Sequence, residues 1–438
     1  MEPAPRPRVN RSHGATVPER GGCALHPRAL PPNLGGVNPV RLLLPLAVLV
    51  AFPLPLPLPL AVIAAAATLP GIDPAMQSMV DRQEIAGAVT LVIARDGIRH
   101  EGIVGHADLA TKRPLTLDTL FWIASMSKPI TATAVLLLQD EGRVNVSDPV
   151  AKYLPEFAAL KTPSGKPANL TLAHLLTHTS GLGEASGPAA GEAKTLADLV
   201  PLWVAAPMQF ETGERWSYCQ SSINAAARVV EVVSGQSFDR FLDERVFRPL
   251  GMRDTTFYPD EAQRARLATG YSRQADTGTL QPFPHRSDLA RRDRPPLGNG
   301  GLFSTPRDYA RFCQMLLHGG TLDGRRFLSP VALRLLSTPQ TGDLPTGFFQ
   351  SDAFGHHGAQ YGWGLGTCVL KAPHPGVASM LSPGTFGHGG AWGTQAWIDP
   401  VKGVTYLLMV QRANFPNSDA SDVRRAFQEA AAAALAAR

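Results

Sequence analysis

The sequence predicts an α+β fold: an antiparallel sheet built from both termini, flanked by helices, with a mostly helical insertion. Three observations carry this. Strand-like apolar segments occur near residues 88–106 and return at 386–410. The stretch from about 145 to 350 shows helical spacing broken by Pro/Gly loops. A strong hairpin signal, Asp96-Gly97, joins the first two strand-like segments. Strands at both ends with helices between are satisfied by one sheet covered by helices, with a helical part beside it.

Taken in order, Ile72 to Gln83 reads as a short first helix. Ala88 to Ala94 is an apolar strand, and Ile98 to His106 is its hairpin partner. From Ser125 the pattern becomes helical, because Ile130, Ala134, Leu137 and Leu138 fall at i, i+4, i+7 and i+8. That stripe ends at Glu141-Gly142, a helix stop, and Pro129 sits in the first turn, where a missing N–H costs little. Thr171 to His178, Ser221 to Ser234, Phe238 to Phe247 and Pro306 to Leu317 carry further helical patterns. Phe386 to Trp392, Thr394 to Ile398 and Gly403 to Val410 read as strands, and Ser421 to Ala437 as a final Ala-rich helix.

The 438 residues carry a net charge of +5. Residues 1–41 hold six Arg and two Glu, which is +4 of that total, so the remainder carries about +1. The basic charge is confined to an Arg/Pro-rich leader that reads as disordered, and no basic surface argues for a nucleic-acid partner. Residues 42–70 follow as an uncharged, almost wholly apolar run, preceded by Arg41 and ending near Ala64 to Ala67. That is the layout of a signal peptide, with small residues at the cleavage region. Pro45, Pro53, Pro55, Pro57 and Pro59 disfavour a straight spanning helix, which makes a retained membrane anchor the second reading. Export to the periplasm or medium is therefore expected, with residues 71–438 as the working domain. Of the four cysteines, Cys23 falls in the leader. Cys219, Cys313 and Cys368 form no C-x-x-C, so neither a zinc ribbon nor a redox pair is indicated.

The chemistry is most legible at Ser125-Met126-Ser127-Lys128. The chain has 33 Arg against only 8 Lys, and Lys128 is the one lysine with a serine three residues before it. Arginine stays charged in proteins, whereas a desolvated lysine gives up its proton. A lysine kept here points to a base one helical turn from a nucleophile. Ser125 falls at a helix N-terminus, where N–H groups and the dipole favour an oxyanion. The pattern S-x-x-K alone has low specificity, and equally describes a helix cap followed by a surface lysine.

Two further constellations change its weight. Trp216-Ser217-Tyr218-Cys219-Gln220 precedes an apolar helix. A tyrosine at such a junction relays protons if cations lie near it; otherwise it anchors a loop. Phe386-Gly387-His388-Gly389-Gly390-Ala391-Trp392 is a glycine-dense strand, the mark of a close approach by a ligand or another backbone. His388 there either donates to a substrate carbonyl or carboxylate, or is structural. His174 and His178 have metal-ligand spacing, but no acid or third ligand accompanies them, so no metal site is assigned. Trp122, Tyr361, Trp363 and Trp392 read as core or cleft walls.

Ser125/Lys128, Tyr218 and His388-Gly389-Gly390 occur in the order and rough spacing of the serine β-lactamase and penicillin-binding-protein family. The chain most resembles the branch with class C β-lactamases, D-aminopeptidases, DD-carboxypeptidases and family VIII carboxylesterases. The resemblance runs from about Pro74 to the C-terminus, and includes Leu172 to Leu182 and Gly300 to Thr305. It implies a β-lactamase/transpeptidase-like fold and a cofactor-free mechanism. In that mechanism Ser125 attacks a carbonyl, Lys128 and Tyr218 share base duty, and an acyl-enzyme is then released. The backbone N–H groups of Ser125 and Ala391 would form the oxyanion hole, with His388, Gly389, Gly390 and Gln220 lining the substrate.

Two departures shape the expected activity. Tyr-x-Asn of the peptidases is here Tyr218-Cys219-Gln220, an amide on an arm one methylene longer. Lys-Thr-Gly of true β-lactamases is His388-Gly389-Gly390, which loses most of the fixed charge that binds a carboxylate. A carboxylesterase on small esters is the leading expectation. D-amino-acid peptidase or β-lactamase activity is the alternative, and an acylated sensor that never turns over is the non-enzymatic one. The expected partner is a small-molecule ester, amide or β-lactam.

Overall fold

The computed structural model describes residues 68–285, 288–346 and 356–437, and these pack as one unit. The leader and the apolar run up to residue 67 lie outside the described residues, as do residues 347–355. Among the described residues no helix is long and apolar enough to cross a membrane.

The central sheet has eight strands, all paired antiparallel. The N-terminal side supplies β1 (Gly87–Ala94), β2 (Gly97–Asp108) and β3 (Arg113–Pro114). The C-terminal side supplies β4 (Tyr361–Trp363), β5 (Cys368–Leu370), β6 (Phe386–Gly389), β7 (Gln395–Asp399) and β8 (Val404–Met409). The spatial order is β4-β5-β6-β7-β8-β1-β2-β3, so the two halves of the chain meet at β8 and β1, with Val89 opposite Met409. The β4–β5 hairpin is the part sequence patterning missed. Its glycine-rich segment, residues 361–367, offers little alternation, and its strands are only three residues each.

β1 is apolar except for Thr90 because both its faces are covered. Val89, Leu91 and Ile93 point into one core, whereas Ala88 and Val92 point into the other. Helices α1 (Ile72–Asp81) and α5 (Asp422–Ala436) cover the second face. The first face carries α2 (Ser127–Asp140) and α4 (Pro306–Leu317), and α3 (Gln220–Ser234) packs against α2. Thus α4, which the sequence places within the inserted region, lies on the sheet. The region between also holds short β pairs, including Phe121–Trp122 with Phe303–Ser304.

Every residue of α2 from Ser127 to Leu138 is buried, rather than one stripe. The helix is enclosed by the sheet side and by α3, so its polar positions need internal partners. Thr131 donates to the Gly298 carbonyl at 2.7 Å, and Thr133 to the Pro129 carbonyl at 2.8 Å. Burial of its Ile, Val and Leu side chains contributes about 1.5–3 kcal/mol each. That gain holds Lys128, fully buried in the first turn, where a lysine would not otherwise stay.

Candidate active site

Ser125 lies in a single 3-10 turn, Ala124–Met126, that leads directly into α2. Ala124, just before it, has a left-handed backbone with φ of 44°. Strain of this kind in a non-glycine residue needs support from its surroundings. The support comes from the β pair at Phe121–Trp122, from the Ile123 N–H bonded to the Leu302 carbonyl at 3.1 Å, and from Ser127 Oγ bonded to the Ala124 carbonyl at 2.7 Å.

Lys128 Nζ is 3.1 Å from Ser125 Oγ, 3.0 Å from Gln220 Oε1 and 2.7 Å from the Asn299 carbonyl oxygen. The last two are amide oxygens and only accept. A neutral amine has two hydrogens and one lone pair, so giving both hydrogens to these oxygens turns the lone pair toward Ser125. Burial pushes the Lys128 amine down to about 7 from its usual 10.5, and the Glu184 carboxylate is the strongest influence opposing it.

Tyr218 is half-buried, with its ring centroid 4.4 Å from Lys128 Nζ. Burial raises its phenol well above the usual 10, against a hydrogen bond with Ser125. The tyrosine is therefore a neutral phenol in the resting site. His178 braces its loop on both sides. The His178 carbonyl accepts from Ser217 N–H at 2.9 Å, and its Nδ1 accepts from Cys219 N–H at 3.1 Å. His174 forms a capping box with Thr171. Both histidines of the metal-like spacing thus have structural contacts.

His388 is buried, with Nδ1 2.6 Å from the Gly389 carbonyl oxygen and Nε2 3.5 Å from the Tyr218 hydroxyl. The short contact to a carbonyl places the proton on Nδ1 and leaves Nε2 as an acceptor toward Tyr218. The proton expected to serve a substrate is given to the protein's own backbone. Burial, then the Lys128 charge, pushes this imidazole down to about 3, so it is neutral at working pH.

The glycines of this strand answer to close backbone approach. A Cβ on Gly390 would stand 2.6 Å from the Ile123 carbonyl oxygen, and one on Gly389 would collide with the Asp419 carboxylate. Ala391 follows at an exposed position. The segment bearing Ser125 and the strand leading to Ala391 are thereby pressed together.

Sequence reading missed two residues. Asn299 supplies the carbonyl to Lys128 and donates from Nδ2 to Gln220 Oε1 at 2.8 Å, locking the longer amide arm in place. Its signal was the glycine density of residues 298–301, where a Cβ on Gly298 would stand 2.8 Å from Thr131 Oγ1. Glu184 caps α3 from a separate loop. It accepts from Gln220 N–H at 2.5 Å, from Ser221 N–H at 2.9 Å and from Ser221 Oγ at 2.8 Å. Cys219, at the N-cap position, makes no such side-chain bond. Replacing Glu184 by Gln is expected to move the ascending limb of the pH–rate profile to lower pH, because a charge favouring protonated Lys128 is lost. It also costs up to about 1 kcal/mol at the helix terminus, readable as a lower Tm. An unmoved limb would show that Glu184 is structural only.

The cysteines Cys219, Cys313 and Cys368 are buried thiols with no disulfide among the described residues.

The family model described as Beta-lactamase matches residues 72–431. Esterase EstB of Burkholderia gladioli is 29% identical over 80% of this chain and 92% of its own length. Penicillin-binding protein 4 of Amycolatopsis lactamdurans is 32% identical over 64% of this chain and 72% of its own. Among solved structures, that of EstCE1, a hydrolase with promiscuous acyltransferase activity, superimposes with a TM-score of 0.69 at 22% identity, covering 82% of this chain and 97% of that one. With this fold and this match along most of its length, the chain belongs to the beta-lactamase family of serine hydrolases.

Proposed function

We propose that this protein is an exported carboxylesterase of small-molecule esters, acting through an acyl-enzyme on Ser125. The observation that carries the reading is the buried Lys128 amine, within hydrogen-bond distance of Ser125 Oγ and of two oxygens that only accept, Gln220 Oε1 and the Asn299 carbonyl, so that its deprotonated form turns its lone pair to Ser125. Lys128 takes the serine proton as Oγ bonds to the ester carbonyl carbon. Tyr218 passes a proton to the departing alcohol oxygen as the C–O bond breaks, and is reprotonated from Lys128. Water then adds to the acyl-enzyme by the reverse relay and releases the acid. The N–H groups of Ser125 and Ala391 hold the oxyanion. His388 orients the Tyr218 hydroxyl, and Gln220 orients Lys128. Gly389 and Gly390 admit the strand to the nucleophile.

Esters are favoured over β-lactams and peptide carboxylates because the third motif presents a neutral imidazole where a lysine would bring a charge. Purified protein is expected to turn over p-nitrophenyl butyrate at a kcat/KM at least about tenfold above that for nitrocefin. The opposite order would support a β-lactamase. Activity on neither, with a lasting adduct on Ser125 by mass spectrometry after penicillin, would support the sensor. Activity on neither but on D-alanyl peptides would support the peptidase.

The pH dependence follows from Lys128. Below about 7 the amine is protonated and cannot accept the serine proton; above it the amine is free. The expected kcat/KM rises with pH through about 7 and levels off, with no requirement for a protonated His388. A profile falling through this range would contradict the assignment of Lys128 as base.

Export is supported by the 42–70 run, with anchoring through it as the alternative. N-terminal sequencing of protein recovered from a native host separates them: cleavage near Ala67 supports export, and an intact run in the membrane fraction supports an anchor.

A further inference from the structure

A pocket of about 460 Å³ is walled by Trp122, Phe283, His285, Phe303 and Trp392, and three of these, Trp122, Phe283 and Trp392, pack with Ala124, the residue before Ser125. We propose that it is the subsite for the acyl group of the substrate, and that this group is a neutral aromatic or alicyclic carboxylic acid rather than a short chain. The proposal rests on the esterase reading above and names its substrate class.

Position comes first. Trp122 lies three residues before Ser125, and Trp392 directly follows Ala391. Ala124, the strained neighbour of the nucleophile, packs in one cluster with Trp392, Trp122 and Phe283. A carbonyl carbon on Ser125, its oxygen held at Ser125 and Ala391, continues naturally toward Trp392. The departing alcohol must instead meet the proton donor Tyr218. That residue belongs to a different aromatic group, with Trp216, Trp363 and His178, none of which lines this pocket.

Size and surface define the guest. The volume falls in the range of about 300–1,000 Å³ that suits drug-sized ligands, far beyond an acetyl or butyryl chain. Ring centroids run almost continuously along the wall: Trp122 to Trp392 at 5.2 Å, Trp392 to Phe283 at 5.6 Å, Trp122 to His285 at 4.2 Å and His285 to Phe303 at 5.5 Å. Such tilted rings offer faces and edges to another ring. The charged lining is one Arg264 and one Asp288, and Arg264 already donates to the Pro259 carbonyl at 2.8 Å. Balanced charge favours a neutral guest.

The wall is also fixed before substrate arrives. The Trp122 indole N–H donates to the Gly300 carbonyl at 2.7 Å. The Gln411 amide holds the Trp122 backbone from both sides, accepting its N–H at 2.8 Å and donating to its carbonyl at 3.3 Å. Trp392 lies so close to Gly270 that a Cβ there would stand 2.4 Å from its ring. Preorganised walls convert contact into selectivity, because little ordering remains to be done on binding.

The test holds the leaving group constant. The kcat/KM values of p-nitrophenyl acetate, butyrate, cyclohexanecarboxylate and 2-naphthoate are each divided by the rate of hydroxide hydrolysis. The two ring acyl groups are expected to exceed acetate by about tenfold or more, and Trp392→Ala or Phe283→Ala to lower that ratio by about tenfold. A flat series, or a ring preference that survives both substitutions, overturns the proposal. So does a preference that follows the alcohol in an acetate series of methyl, phenyl and 2-naphthyl esters. Acetate turnover that depends on Ser125 would then show that the hydrolase reading stands while the pocket assignment falls. If no ester is turned over, quenching of tryptophan fluorescence by 2-naphthoate in Ser125→Ala decides. Saturable quenching weakened by Phe283→Ala supports the pocket; its absence overturns it.

Discussion

Replacing Ser125 with alanine is expected to lower kcat/KM for p-nitrophenyl butyrate by about ten-thousandfold or more, with the melting temperature nearly unchanged. The serine sits in a 3-10 turn at a partly exposed position, so loss of its hydroxyl leaves no cavity in the core. The neighbouring Ser127 cannot take over. It is fully buried, its Oγ donates to the Ala124 carbonyl, and it accepts from Leu302 N–H at 3.2 Å. Ser127→Ala is accordingly expected to reduce stability more than chemistry. Esterase activity that survives in Ser125→Ala would overturn the nucleophile assignment and everything built on it.

The second large effect is expected at Lys128. Lys128→Arg should lower kcat/KM by about a thousandfold or more, close to the loss from Lys128→Ala. Arginine keeps the positive charge but does not give up a proton, so it cannot act as the base. If a fixed cation near Ser125 were all the site required, the arginine variant would retain most activity. The comparison separates proton transfer from charge stabilisation, provided that circular dichroism shows both variants folded. Arginine is also larger and brings its charge into a site where burial holds the native amine near neutrality, so a thermal melt is measured alongside.

Much of the architecture was legible because it depends on local pattern. The Asp96-Gly97 turn, the run from Val89 to Ile93 and the stripe through Ile130 and Leu138 each report their element through periodicity or turn chemistry. The β4–β5 hairpin was not legible, because short glycine-broken strands owe their existence to pairing with β6 rather than to their own residues. The motif residues Ser125, Lys128, Tyr218 and His388 were likewise readable, since their spacing and type are rare in combination.

What each one touches was not. His388 was expected to donate outward, yet its proton is held by Gly389 and its other nitrogen faces Tyr218. Gln220 departs from the family pattern, and only the fold shows that Asn299 clamps the longer arm so that its oxygen still reaches Lys128. Glu184 sits in a loop with no sequence signature, and acquires its role because that loop crosses the start of α3.

By itself, then, the sequence determined the family motifs, with Ser125 as the candidate nucleophile and Lys128 one helical turn from it, and the two-ended sheet that holds them, because these follow from residue type and spacing along the chain. Tertiary structure alone decided the lowered basicity of the lysine, the direction of the imidazole and the aromatic wall packed against Ala124. Each of these depends on burial and on through-space neighbours brought together from residues as far apart as Trp122 and Gln411, and no local pattern encodes such contacts.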